Sequence, residues 1–195
     1  MNVKVKKTLK FFLYFFGKLI AAAIAVGLAW FAFMTAMNSS NIQVTVKDAF
    51  TKRASVILES EDNSDTALLP KIFTREYLDR SKLDTQKDNR FYDVTLYSQR
   101  TDVEVKVVFP FAKKAEITVT DVVEDIRATL VNEDQPDFQQ RESLMDSGIY
   151  NVTVIKTDDG WMIDDIELVE EVTPEIVRPL PTPAPAEETF AEAEE

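Results

Sequence analysis

Apolar and polar positions fall along the chain in three successive regimes. The first is an unbroken apolar run: residues 19–37, LIAAAIAVGLAWFAFMTAM, carry no charge. At about 1.5 Å per helical residue they extend roughly 28 Å, close to the thickness of a bilayer's hydrocarbon core. Phe11, Phe12, Tyr14, Phe15 and Phe16 lengthen the run upstream, and Lys18 is placed to snorkel its ammonium toward headgroups. A short polar connector, residues 38–43, is expected to follow. The second regime has a helical period: Val46, Ala49, Phe50, Ala54, Ile57 and Leu58 share one face, and Thr45 stands three before Asp48 as in a capping pair. After the acidic turn ESEDNSD, Leu68, Leu69 and Ile72 predict a second short helix. Thr74 is placed to cap a third through Tyr77 and Leu78.

From Phe91 the period becomes two. Tyr92, Val94 and Leu96 form a first alternating run, Val103, Val105 and Val107 a second, and Ala115, Ile117 and Val119 a third. Each predicts a half-buried strand. The third run changes parity around Asp121 and Val122 before continuing through Ile126, Ala128 and Leu130. That pattern fits a β-bulge in a long bent strand or a switch to helix, and the bulge is the preferred reading. Residues 132–148 are polar and longer than most connections, so they read as a flap or as a linker with a helical turn. Then Ile149 begins an alternating strand, Thr157-Asp158-Asp159-Gly160 supplies a turn, and Trp161-Met162-Ile163 resumes a strand, a β-hairpin signature. Parity shifts again at Asp164-Asp165, after which Ile166 and Leu168 take the inward positions.

The expected class is therefore α+β: an N-terminal transmembrane helix, then a cone-like domain of helices packed on a curved antiparallel sheet. The expected divisions are a basic end at 1–18, the span at 19–37, the connector at 38–43, the domain at 44–172 and a tail at 173–195. The tail carries prolines at 174, 179, 181, 183 and 185 and an acidic end, a composition that cannot build a core and predicts a largely disordered segment.

Charge is distributed unevenly. Lys4, Lys6, Lys7, Lys10 and Lys18 are the only charged residues before Lys47. Because these are five of the 22 basic residues and none of the 34 acidic ones, the remainder carries 17 against 34, a net charge of −17. Lysines before the apolar run and the uncharged NSSNIQ after it put the N-terminus in the cytoplasm and the domain outside. A cleaved signal peptide is the rival, but the run exceeds the usual apolar core of about 7 to 15 residues and no small-x-small cleavage site follows. A buried soluble helix would show a polar stripe, which is missing. The acidic remainder repels phosphate backbones, which discounts nucleic acid as a partner.

The chain has no cysteine and no histidine. Thiolate nucleophiles, disulfides, thiolate metal sites and Ser-His-Asp arrangements are thereby excluded. Candidate carboxylates remain. Asp121, Glu124 and Asp125 stand near the expected bulge, where an inward carboxylate would have a raised pKa, but a solvated acidic edge is the plainer expectation. Asp93 with Tyr92 and Tyr97 fits strand packing. Asp158, Asp159, Asp164 and Asp165 lack calcium-loop spacing and read as turn residues. Trp161 reads as a core anchor rather than a stacking platform. Asn38-Ser39-Ser40 and Asn151-Val152-Thr153 match the glycosylation acceptor pattern, which matters only in a eukaryotic secretory route. No catalytic, cofactor-binding or metal-binding residue is assigned.

The order of helices followed by antiparallel strands that close on IYNVTVIKTDDGWMIDDIEL resembles the nuclear transport factor two-like superfamily, across about residues 44–170. The final hairpin, with its Asp-Gly turn, Trp161-x-Ile163 and Ile166, carries most of the resemblance. It implies a curved sheet wrapped around a long first helix. Members include isomerases, dehydratases, carriers and structural interaction domains, so the resemblance constrains function weakly. Membrane-anchored bacterial versions, among them single-pass scaffold components of secretion machines, resemble this layout most. The expectation is a non-catalytic, membrane-tethered interaction or scaffold module of the cell envelope, without a cofactor, whose partners are the lipid bilayer and an envelope protein or a second copy. The alternatives are a carrier of a small apolar ligand and an enzyme using only carboxylates and tyrosines.

Overall fold

A computed structural model of the chain describes residues 3–59, 66–83, 92–130, 144–173 and 178–179. Its first element is a single helix, α1 (Val3–Leu58), of 56 residues. At about 1.5 Å per residue it is roughly 84 Å long. Residues 38–43, expected as a connector, are helical, so the apolar run and the first domain helix are one element. NSSNIQ contains neither glycine nor proline to end a helix, and both flanks propagate it. The proposed Thr45–Asp48 cap consequently lies in the helix interior.

The two halves of α1 meet different surroundings. Between Phe12 and Phe33 its large apolar side chains are exposed except for the half-buried Phe31, and α1 has one stretch long and apolar enough to cross a membrane, a property it shares with N-terminal signal sequences. From Asn38 onward one face is buried: Asn38, Ile42, Val46, Ala49, Phe50, Ala54 and Leu58 recur every three or four residues. The buried face therefore begins at Asn38, about two turns before Val46.

A 3₁₀ turn over Thr66–Leu68 leads into α2 (Leu69–Ile72), which has Pro70 in its first turn. Then comes α3 (Arg75–Ser81), capped by the Thr74 hydroxyl accepting from the Tyr77 amide at 3.2 Å. The strands form an antiparallel meander in the order β1 (Tyr92–Glu104), β2 (Lys114–Leu130), β3 (Ser147–Thr157) and β4 (Gly160–Val172). A two-residue strand β5 (Arg178–Pro179) pairs in parallel with Arg127 and Ala128 of β2, so part of the expected tail joins the sheet. The first two alternating runs do not make two strands. The first run and Val103 of the second belong to β1, and Val105 and Val107 lie in the loop after it.

The bulge exists, but further along than the parity of apolar residues suggests. Ile117, Val119, Asp121 and Val123 all face inward and are buried; the alternation then steps over Glu124 and Asp125 to resume at Ile126 and Ala128. Asp125 has φ 56°, a left-handed backbone that Asp adopts more readily than most residues. The second shift is where it was expected: Thr153 pairs with Asp165 but Val154 with Ile163, leaving Asp164 as the extra residue.

Helices cover one face of the sheet. Ile42, Val46, Ala49 and Phe50 of α1 pack with Leu69, Phe73 and Tyr77 against Val103, Val119, Val152, Val154, Trp161 and Ile163. Ala54 and Leu58 join Tyr92, Val123, Ile126, Leu144 and Met145 in a second cluster. The other face is mostly polar and half-open, with Glu116, Thr118 and Thr120 of β2 opposite Thr153, Asn151 and Ile149 of β3. One covered and one solvated face is the usual state of an antiparallel meander.

Candidate functional site

Where α1 crosses the middle of β1, β2 and β3, the core contains a polar cluster. Asp121 comes from β2 and is fully buried. Its Oδ1 accepts 2.7 Å from the Thr101 hydroxyl and 2.9 Å from the Gln99 amide, both on β1. Gln99 also donates to the Phe50 carbonyl of α1 at 3.2 Å. Across the cluster the Arg53 guanidinium lies 5.3 Å from the Tyr150 ring centroid and 6.0 Å from that of Phe50. Those two rings meet edge to face at 5.4 Å, and the Tyr150 hydroxyl donates to the Asp146 carbonyl at 2.7 Å.

Electrostatics set this cluster apart. Burial pushes the Asp121 carboxyl above the ordinary range, against the opposing pull of the Thr101 and Gln99 hydrogen bonds and of Arg53. Burial likewise raises the Tyr150 hydroxyl, and Arg53 opposes that shift. Asp121 Oδ2 and Arg53 Nη1 are both buried without a hydrogen-bond partner among the described residues. A carboxylate, a guanidinium and a phenol thus converge at the helix–sheet junction, an arrangement able to hold a small polar group or to exchange a proton.

Asp121 therefore does not belong to a solvated acidic edge. It occupies an inward position because the parity break comes only at Asp125, and an aspartate among valines imitates a break in the sequence pattern. Glu124 and Asp125 are exposed, as an edge requires. The structure does not bring the three together. Asp93 is exposed, Tyr92 is buried, and the Tyr97 hydroxyl donates to Glu59, just after α1, at 3.1 Å. Arg53 and Gln99 were not singled out by sequence reasoning. The available signal was a cation on the core face of α1, one turn after Ala49 and beside Phe50.

The four aspartates of the last hairpin divide into two pairs. Asp158 and Asp159 are the exposed tip. Asp164 and Asp165 form the β4 bulge, where Asp164 Oδ1 accepts from Thr74 at 3.1 Å and Arg80 reaches the Asp164 carbonyl and Asp165 Oδ1 at 3.0 and 2.8 Å. They fasten α3 to β4. Among the described residues no group of three or more acidic side chains is arranged to hold a metal ion. Trp161 is buried in the main core, with the Lys156 ammonium 5.8 Å from its ring. Asn38 is buried and donates to the Phe109 carbonyl at 3.4 Å, and Asn151 is half-buried in mid-strand, so neither presents an open acceptor. Most of the polar stretch 132–148 lies outside the described residues; Leu144, Met145 and Ser147 at its end are buried.

Comparison with protein-family models, with curated proteins and with solved structures finds no match.

Proposed function

We propose that the chain is a non-catalytic, membrane-tethered interaction module of the cell envelope, with residues 19–37 crossing the bilayer, the lysine-rich end in the cytoplasm and the folded domain outside. The observation that carries this is the continuity of α1. One helix supplies both the exposed apolar stretch and the buried spine of the domain, so the domain is held rigidly at the membrane rather than on a flexible leash. The helix-plus-meander order and the second bulge support the nuclear transport factor two-like resemblance, in which scaffold components share this layout.

The surface offered is the open face of the sheet. Register places Glu104, Thr118, Asn151 and Glu167 in one row and Asp102, Thr120, Ile149 and Glu170 in the next. These two rows have a neutral centre flanked by acidic edges, and the next row adds Glu116 of β2 and Asp165 of β4 on either side of Thr153. An acidic face repels a second copy and suits an envelope protein with a basic surface.

A second reading, a small-ligand carrier or a carboxylate-dependent enzyme, draws on the unpartnered Asp121 Oδ2 and Arg53 Nη1. One comparison in a deletion strain separates the two at equal protein abundance. The module predicts that Asp121→Asn complements fully, whereas the domain freed by replacing residues 1–37 with a cleavable signal fails, since tethering raises effective concentration by orders of magnitude. An enzyme predicts the reverse, because loss of a general acid or base costs about 100- to 10,000-fold in rate. A folded but inactive Asp121→Asn together with an active soluble form overturns the module.

A further inference from the structure

We propose that the β1–β2 loop, residues 105–113, is a second membrane contact, an amphipathic wedge lying in the interfacial layer of the leaflet from which α1 emerges. The inference rests on the reading of α1 as a membrane-spanning helix.

The loop sorts its side chains by environment. Val108 turns inward and is buried in the main core, while Val107, Phe109 and Phe111 are 71, 58 and 78% exposed. The Ala112 amide donates to the Phe109 carbonyl at 3.0 Å, closing a β-turn with Pro110 at its second position. The sheet does not need these outward aromatics, since its own core is completed by Val108. A contiguous exposed apolar patch on an otherwise acidic domain marks a contact surface.

Position identifies the occupant. Asn38 of α1 holds the Phe109 carbonyl, and the Phe109 ring lies 6.2 Å from that of Phe31. Phe31 is about two helical turns before Asn38, inside the uncharged run. When residues 19–37 sit in hydrocarbon, Asn38 holds the Phe109 carbonyl at the edge of that layer while the ring reaches below the edge toward Phe31. A protein partner at that depth would itself have to be embedded; lipid is there already.

Charge agrees with position. Lys106, Lys113 and Lys114 are exposed around the aromatics, and no acidic residue occurs between Val105 and Ala115. Everything beyond residue 37 has a net charge of −17, so this loop is where anionic headgroups meet attraction instead of repulsion. Apolar rings below and ammonium groups above are the pattern of interfacial segments. The Asp158–Asp159 tip opens on the same end of the sheet, which confines the contact to the loop. With a rigid helix, two points of attachment would fix the azimuth as well as the height of the domain.

The chain has no native cysteine, so single probes can be placed without background. Three full-length variants, Phe111→Cys, Ala29→Cys in the apolar run and Thr129→Cys at the opposite end of the sheet, are labelled with an environment-sensitive dye. They are reconstituted in nanodiscs of phosphatidylcholine and phosphatidylglycerol, with both faces open to iodide. The expected result is blue-shifted emission, strong quenching by doxyl-labelled lipid and severalfold weaker quenching by iodide at positions 29 and 111, with the opposite at 129. Lipid contact at 29 with water-like behaviour at 111 overturns the wedge and leaves the anchor standing. Shielding from iodide at 111 without quenching by lipid assigns the patch to a protein and also overturns it. Water-like behaviour at both 29 and 111 removes the anchor and the wedge together.

Discussion

Thr101 and Asp121 face each other across the β1–β2 ladder, and the threonine hydroxyl donates a 2.7 Å hydrogen bond to a carboxylate that the fold has withdrawn from water. That bond, the Gln99 amide and Arg53 all favour the charged form, yet burial outweighs them and raises the carboxyl's pKa.

The sign of the consequence is fixed. A carboxyl whose pKa is higher folded than unfolded binds its proton more tightly in the native state, so its contribution favours folding in acid. That contribution is lost as pH rises through the folded value. Asp121→Asn keeps an oxygen for Thr101 and Gln99 while removing the charge. The variant is expected to match the wild type in acid and to exceed it in Tm at neutral pH, the gap opening as pH increases. Calorimetry of the full chain across that range checks it. A variant less stable than the wild type at neutral pH would show that Arg53 compensates the buried charge in full.

Gly148 of β3 is packed tightly against β4. A Cβ there would meet the Glu170 carbonyl oxygen and the Leu168 side chain. Leu168 can swing away, but the Glu170 carbonyl is part of the ladder and cannot. Gly148→Ala is therefore expected to cost about 2 to 3 kcal/mol by overpacking. Gly160 differs: it has open space around its Cβ position but a φ of 126°, so Gly160→Ala costs about 1 to 2 kcal/mol through backbone strain alone. Urea titration of each variant reads both losses, and equal costs near zero would mean that the β3–β4 pairing is looser than its register.

Much of this fold is legible from periodicity. The buried face of α1 from Val46, the Thr74 cap, the last hairpin and the Asp164 bulge follow from residue patterns that tertiary structure does not override. Three features are hidden for physical reasons. Residues 38–43 carry a single apolar side chain, Ile42, among polar ones yet are helical, because continuity from both sides outweighs local composition. Asp121 conceals its inward position because a polar side chain on a core face looks like a change of register. Gln99 and Thr101 reveal their role only through a cross-strand partner about twenty residues away, which a single strand's pattern does not encode.

Trp161 completes the core at the end of the sheet where β4 begins, and its indole Nε1 has no partner among the described residues. Trp161→Ala is expected to destabilise the chain by about 3 to 5 kcal/mol, the range for deleting a buried large aromatic. Trp161→Phe keeps most of the apolar volume and removes the unsatisfied donor, so it should cost less than about 1.5 kcal/mol. Chemical denaturation followed by far-ultraviolet circular dichroism, which does not depend on the tryptophan itself, compares the two. Similar losses for both would assign the indole N–H a role that packing does not.

The last prediction concerns the joint between the apolar run and the domain. Ser40 sits on an exposed position of α1 between buried Asn38 and Ile42. In a continuous helix its amide bonds the carbonyl four residues back, and a proline there removes that bond and clashes with the same carbonyl, at a cost of about 3 kcal/mol. In a flexible connector the same substitution would be close to neutral. Spin labels at Ala29→Cys and Thr51→Cys, both exposed, bracket the joint. Twenty-two residues of helix separate them by roughly 33 Å. Pulsed electron resonance on the full chain in nanodiscs should give one narrow distance near that value, and Ser40→Pro should broaden it and shorten its mean as the two halves move independently. The folded domain should keep most of its stability in the variant, because Ile42, Val46 and Phe50 lie beyond the break and remain docked on the sheet. A broad distribution already present without the proline would restore the connector, and with it a domain that swings freely above the membrane.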